Sequence, residues 1–145
     1  MFVGQSKHTI TKDGRLSLPS KMREVISKKY QSEEVYFVLI QGNILCVYPE
    51  EEFEKAIDRV ANIQEASLSE MAQLERNTCA NAESSKIDGS GRIVIPQDMR
   101  ELAKIDQDVL IVGARTHIEL WSPTRWEAYQ ENRPTDVMRK WTGAH

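Results

Sequence analysis

Cysteine is scarce in this 145-residue chain: Cys46 and Cys79 stand in different segments with no paired-ligand spacing. That excludes a disulfide framework of the kind that holds small secreted domains together, and both side chains read as free thiols serving as small buried fillers. Long apolar runs are missing too. The longest, Val35 to Ile40, is far too short to cross a bilayer, and Met1 to Gln5 shows no basic cluster followed by an apolar stretch. These absences predict a cytoplasmic chain with no membrane partner. Five prolines and seven glycines are too few for a collagenous or linker-like chain, while a hydrophobic share of 40% can supply a core.

Positive charge is not in excess over the whole chain, whose net charge of −3 taken alone argues against a nucleic-acid partner. Its distribution argues the other way. Residues 1–30 carry Lys7, Lys12, Arg15, Lys21, Arg23, Lys28 and Lys29 against Asp13 and Glu24, a local charge of +5; residues 31–83 carry −8, and the remainder is neutral. One end of the molecule can therefore present a positive field although the whole is acidic.

What the chain does have is an internal repeat. Ile10 to Glu24 (ITKDGRLSLPSKMRE) aligns without gaps to Ile87 to Glu101 (IDGSGRIVIPQDMRE), and Val35 to Pro49 answers to Val109 to Pro123. Gly14 and Gly91 supply the positive φ of a tight turn, with Asp13 and Ser90 as turn-favouring neighbours. A short strand follows in each copy. Leu16 and Leu18, or Ile93 and Ile95, point inward; Ser17 points outward in the first copy, and Val94 in its place predicts that the second strand is covered. Pro19 and Pro96 end these strands and suit the first position of a short helix, whose Met22, Val25 and Ile26, or Met99, Leu102 and Ala103, share one face.

Two β-rich runs, Val35 to Ile40 and Ile44 to Tyr48, flank Gln41-Gly42-Asn43 and predict a hairpin, matched by Val109 to Val112 with His117 to Trp121. Pro49 to Gln64 carries a helical stripe of Phe53, Ala56, Ile57, Val60 and Ile63; Leu68 to Cys79 continues with Leu68, Met71, Ala72 and Leu74. After Pro123 a last helix carries Trp126 and Tyr129, and Arg133-Pro134 breaks it before a weakly patterned tail. The divisions expected are a first repeat at 5–50, a helical connector at 51–80, a second repeat at 81–124, and a C-terminal helix and tail at 125–145.

The twice-repeated Gly-Arg-apolar-x-apolar-Pro-x-x-Met-Arg, the opening Met1-Phe2-x-Gly4 and the Leu120-Trp121 pair resemble the MraZ family over nearly the whole chain. The resemblance implies an α+β, mainly β fold: a swapped-hairpin barrel of the SpoVT-AbrB class, formed by two tandem copies in one chain with helices packed around it. It further implies a ring-like homo-oligomer, nucleoid association, and control of transcription at promoter repeats of the division and cell-wall gene cluster. Asp88 and Arg92 keep the family's acid four residues before the arginine, whereas the first copy has Thr11 before Arg15, where a hydroxyl can still cap the turn.

For double-stranded DNA as partner, the candidate contacts are Lys7, Lys12 and Arg15, with Arg15 suited to a bidentate contact on guanine or phosphate and Lys21 steadying the backbone. Thr11, Gly14, Asp88 and Gly91 shape the two turns. Two alternatives stay open: Arg15 pairs with its own barrel, and Arg92 either serves the equivalent edge or is locked to Asp88. Arg23 and Arg100 read as surface or inter-copy ion pairs. Three or four phosphate contacts per subunit bind weakly at physiological salt, so repetition around a ring must supply the affinity, with the acidic segment at 50–83 and the aromatic C-terminal helix as possible interfaces.

Gly89-Ser90-Gly91 lacks the Gly-Lys-Ser/Thr of a phosphate loop, and His8, His117, Cys46 and Cys79 share no metal-ligand spacing. No nucleophile comes with a recognisable base. The chain is therefore expected to be a non-enzymatic protein without metal or cofactor. A rival reading is an antitoxin-like module whose acidic segment occupies a basic partner; such proteins carry one copy of the unit and a disordered tail, and a dimer would distinguish them from a ring.

Overall fold

The computed structural model describes residues 1–62 and 66–133. Each copy opens with an edge strand, β1 (Gln5–Thr9) or β5 (Glu83–Lys86), then makes the glycine turn into a three-residue strand, β2 (Arg15–Ser17) or β6 (Arg92–Val94). A short helix follows, α1 (Ser20–Glu24) extended by a π-helical turn at Val25–Lys29, or α4 (Gln97–Leu102). Next come the hairpins β3 (Glu34–Ile40) with β4 (Ile44–Pro49), and β7 (Asp108–Gly113) with β8 (Ile118–Trp121). Helices α2 (Glu50–Ala61) and α5 (Pro123–Asn132) leave the two hairpins, and α3 (Leu68–Asn81) precedes β5. Among the described residues no helix is long and apolar enough to cross a membrane.

The copies exchange strands. β1 pairs antiparallel with β7 of the second copy, β5 pairs with β3 of the first, and β4 pairs with β8 where the hairpins meet. The six-stranded order β1-β7-β8-β4-β3-β5 is therefore unchanged when the copies are interchanged, as a repeat folded about a pseudo-twofold demands. The sheet is α+β, mainly β, as expected, but it is open where a closed barrel was expected: β2 and β6 pair only with each other in a separate two-stranded ribbon. The reason is length. With a glycine turn before it and a proline after it, each of these strands has three residues, all registered in the β2–β6 pair and too short to hold a second ladder on the other edge. At one seam the hydroxyl of Ser85 accepts the Val94 amide at 2.9 Å where a ladder carbonyl would serve in a closed sheet.

The main core lies between the ribbon and the sheet and draws on both copies: Leu16, Leu18, Ile93 and Ile95 meet Val35, Phe37, Leu45, Val109, Ile111, Ile118 and Leu120, all buried. Burying each such side chain contributes about 1.5 to 3 kcal/mol, so neither half could keep this core alone. On the opposite sheet face Phe53 of α2 covers Tyr48 and Cys46. Val60 is 45% exposed at the far end of that stripe, and the expected continuation through Ile63 lies outside the described residues. The expected break at Pro134 and the tail lie outside them too.

Four expectations are corrected. Val94 is 46% exposed, so both ribbon strands are wet on their outer face; the sheet and helices wrap the inner face only. Leu102 is 52% exposed because α4 ends there and Ala103 and Ile105 complete the buried face in its place. Cys46 is buried but Cys79, on the outer side of α3, is exposed. Leu68 is also exposed, and no α3 residue is fully buried.

Candidate nucleic-acid interface

The two glycine turns are built alike from different residues. Gly14 and Gly91 have φ of +86° and +78°, and in each turn the glycine amide donates to the carbonyl three residues back, Thr11 or Asp88. In the second copy the Asp88 carboxylate accepts the amides of Ser90 at 2.8 Å and Arg92 at 2.9 Å. The Thr11 hydroxyl takes the equivalent place in the first, accepting the Arg15 amide at 2.9 Å and donating to Asp13 at 2.5 Å. Thr11 thus caps its turn, and the missing acid is made up two residues later by Asp13.

Both arginines are tied to these acids. Arg92 donates from Nε to Asp88 Oδ2 at 3.1 Å, and Arg15 pairs through a terminal amino group with Asp13. The Asp88 carboxyl lies below its ordinary range, chiefly because the Arg92 amide donates to it; desolvation opposes this, and the Ser90 amide and the Arg92 guanidinium add to the lowering. Each arginine side chain remains 42% exposed. They are held in place but still reachable.

The ribbon brings them together. Arg15 stands opposite Val94 and Ser17 opposite Arg92, with Leu16 and Ile93 facing the core between them. Alternation then places Arg15, Ser17, Arg92 and Val94 on one outward face, with the two arginines on a diagonal whose ends lie roughly 7 to 8 Å apart. Lys12 is exposed in the first turn and Lys21 is exposed on α1. Lys7 is placed elsewhere. It lies on the edge strand β1 opposite Leu110, in a shallow depression shared with Asp108 and Pro123, in the other sheet.

Arg23 and Arg100 form no ion pairs among the described residues, contrary to expectation. Each lies across the glycine turn of the other copy: a Cβ on Gly91 would fall 2.3 Å from Arg23, and one on Gly14 would fall 3.2 Å from Arg100. Arg100 Nε donates to the Ile95 carbonyl at 3.2 Å. Their helices follow the ribbon directly, so the repeat itself delivers each guanidinium to its partner turn. The turns are further latched reciprocally, since the Leu18 amide donates to Gly91 O at 3.0 Å and the Ile95 amide to Gly14 O at 2.8 Å.

Arg125 carries no recognisable motif and was missed in the sequence. From α5 it donates to the carbonyls of Asn43 and Gly42 in the β3–β4 loop and to Ala103 at the end of α4, joining the two copies. Trp121, Trp126 and Tyr129 pack together beside it, with ring centroids 5.2 to 5.6 Å apart.

Comparison with known proteins agrees with this doubled architecture. A family model described as "MraZ protein, putative antitoxin-like" matches residues 1–76 and 78–140. A protein of Thermoanaerobacter sp. (strain X514) named "Transcriptional regulator MraZ" is 39% identical over 139 residues, covering 94% of this chain and 90% of its own. Proteins of the same name from Lachnoclostridium phytofermentans and Syntrophobacter fumaroxidans are 35% and 36% identical, each over 88% of this chain and over 86% and 83% of their own. The match runs through both copies and across the join between them, and on that extent the chain belongs to the MraZ family.

Proposed function

We propose that this chain is a sequence-specific DNA-binding transcriptional regulator that sets the outer face of the β2–β6 ribbon against a duplex. The observation that carries the reading is the pairing of two exposed arginines on one face of a two-stranded ribbon, an element of the size the major groove admits. The printed name of its relatives supports it.

The two arginines divide the work. Asp88 engages Arg92 through Nε, so neither terminal amino group has a partner among the described residues, and that forked edge is the one that reads guanine O6 and N7 bidentately. Arg15 commits a terminal amino group to Asp13, which suits it to phosphate or to a single base acceptor after exchange. Lys12 and Lys21 add sequence-independent phosphate contacts, and Lys7 joins only if the duplex extends past the ribbon toward β1. A subunit with so few contacts binds weakly, and a ring-like homo-oligomer on tandem promoter repeats multiplies them, raising avidity by about 10² to 10⁴. The promoter of the division and cell-wall gene cluster is the target the family resemblance implies, with the nucleoid as the place of action.

The test is fluorescence anisotropy on duplexes spanning the upstream repeats of the chain's own gene cluster. Changing Arg15→Ala and Arg92→Ala together is expected to abolish specific binding while light scattering shows the same assembly as the parent. Unchanged affinity would reject the ribbon as the site. A dimer that ignores the repeats would favour the antitoxin-like reading.

A further inference from the structure

Cys46, His117 and Glu119 come from distant parts of the chain and share no ligand spacing in the sequence, which is why no metal set was expected there. Strand pairing overrides that. Cys46 on β4 is registered directly opposite Glu119 on β8, and His117 lies two residues before Glu119 on the same sheet face. The thiol, imidazole and carboxylate ligand atoms all lie within 4.8 Å of one another.

We propose that these three side chains form a binding site for a zinc-class divalent transition-metal ion. Their chemistry fits, since thiolate, imidazole and carboxylate together suit a tetrahedral ion of this class. Bond lengths of about 2.0 to 2.3 Å put neighbouring ligands on such an ion roughly 3.3 to 3.8 Å apart. His117 Nε2 and Glu119 Oε2 are already 3.3 Å apart, and the sulfur, within 4.8 Å of both residues' ligand atoms, has at most about 1 Å to close. The His117 and Glu119 side chains are 15% and 18% exposed, so water can reach the fourth position.

Supporting contacts aim the ligands. The indole of Trp121 donates to Glu119 Oε1 at 3.0 Å, which turns Oε2 toward the imidazole. Thr116 Oγ1 lies 3.0 Å from His117 Nδ1, and Tyr48 stacks on the imidazole at 4.6 Å between centroids. With a metal bound, His117 would donate Nδ1–H to Thr116 and give its Nε2 lone pair to the ion; without one, Nε2–H can donate to Glu119 Oε2. Burial and the Glu119 charge push the Cys46 thiol up, so it waits as the neutral thiol. Binding breaks its S–H bond, forms a sulfur–metal bond and releases one proton to solvent.

The experiment is cobalt(II) titration of the full chain, with zinc added afterwards. One equivalent of cobalt is expected to produce a thiolate-to-cobalt charge-transfer band and tetrahedral d–d bands, both bleached by zinc. Cys46→Ser should lose the charge-transfer band, and Cys79→Ser should keep it. His117→Gln should weaken cobalt binding by more than about 100-fold, beyond the roughly 10- to 100-fold cost of losing a supporting hydrogen bond. Circular dichroism checks each fold, and the His117 variant carries the test should Cys46→Ser misfold. Absence of the band in the parent chain, its loss in Cys79→Ser, or undiminished affinity in His117→Gln would overturn the site.

Discussion

Gly14 and Gly91 occupy equivalent places in the repeat, yet alanine should be tolerated unequally at the two. Both have φ near +80°, where an L side chain costs about 1 to 2 kcal/mol, offset in part by the roughly 0.4 to 1 kcal/mol gained from a stiffer unfolded chain. What the new Cβ meets then decides. At Gly91 it runs into Arg23 at 2.3 to 2.6 Å, the outer part of a flexible side chain that can swing away. At Gly14 it falls 2.7 Å from the Ile95 carbonyl oxygen, which belongs to the backbone and also accepts from Arg100. Relieving that clash means weakening the Ile95 amide to Gly14 O hydrogen bond that latches the copies, a further cost of about 1 kcal/mol or more. Gly91→Ala should therefore cost about 1 kcal/mol and Gly14→Ala about 2 to 3. For a chain of this size, the second variant should melt roughly 3 to 8 °C below the first. Thermal unfolding at one fixed protein concentration, followed by circular dichroism, makes the comparison, because assembly would otherwise shift both curves. Equal melting temperatures, or a lower one for Gly91→Ala, would refute the reasoning. Arg23→Ala in the Gly91→Ala background supplies the control, and the two changes should combine to less than their sum.

Further outcomes follow from the turns, the ribbon and the inter-copy tether. Because the folded-state Asp88 carboxyl is held below its ordinary range, its stabilising effect is fully present above the unfolded value and is lost as pH falls through the lower folded one. Asp88→Asn should flatten the fall of melting temperature between about pH 5 and pH 3, and an unchanged acid limb would show that the carboxylate is not held there. Arg92→Ala should relax discrimination at one guanine by about 1 to 3 kcal/mol in a binding-site selection, whereas Lys12→Ala should weaken all duplexes alike and lower the salt slope by about one. Arg125→Ala, which removes donors to three carbonyls from both copies, should cost about 1 to 3 kcal/mol in urea unfolding while leaving DNA affinity within a few-fold of the parent.

Much of this molecule is legible in one dimension, because its strongest signals are local. A glycine after a polar pair means a turn wherever it stands, alternation of Leu16-Ser17-Leu18 means a strand with one wet face, and proline after it means a stop; such rules act over a few residues. The repeat magnified them, since each element was read twice. Thr11 as a cap and the pair of Arg92 with Asp88 were within reach for the same reason: both partners lie within one turn. Some local inferences still failed. Val94 and Leu102 are apolar by composition yet exposed, because exposure depends on what packs above a residue.

What the sequence by itself determined is the inventory of strands, turns and short helices and their doubling, since these are set by backbone freedom and side-chain period. Only the tertiary structure decided that each half lends its first strand to the other, that the ribbon stays apart from an open sheet, and that Arg23, Arg100 and Arg125 reach across to the opposite copy. It alone put Cys46 beside His117 and Glu119. Such contacts join residues far apart along the chain, and the register that creates them is chosen by the shared core, whose burial is a property of the folded whole.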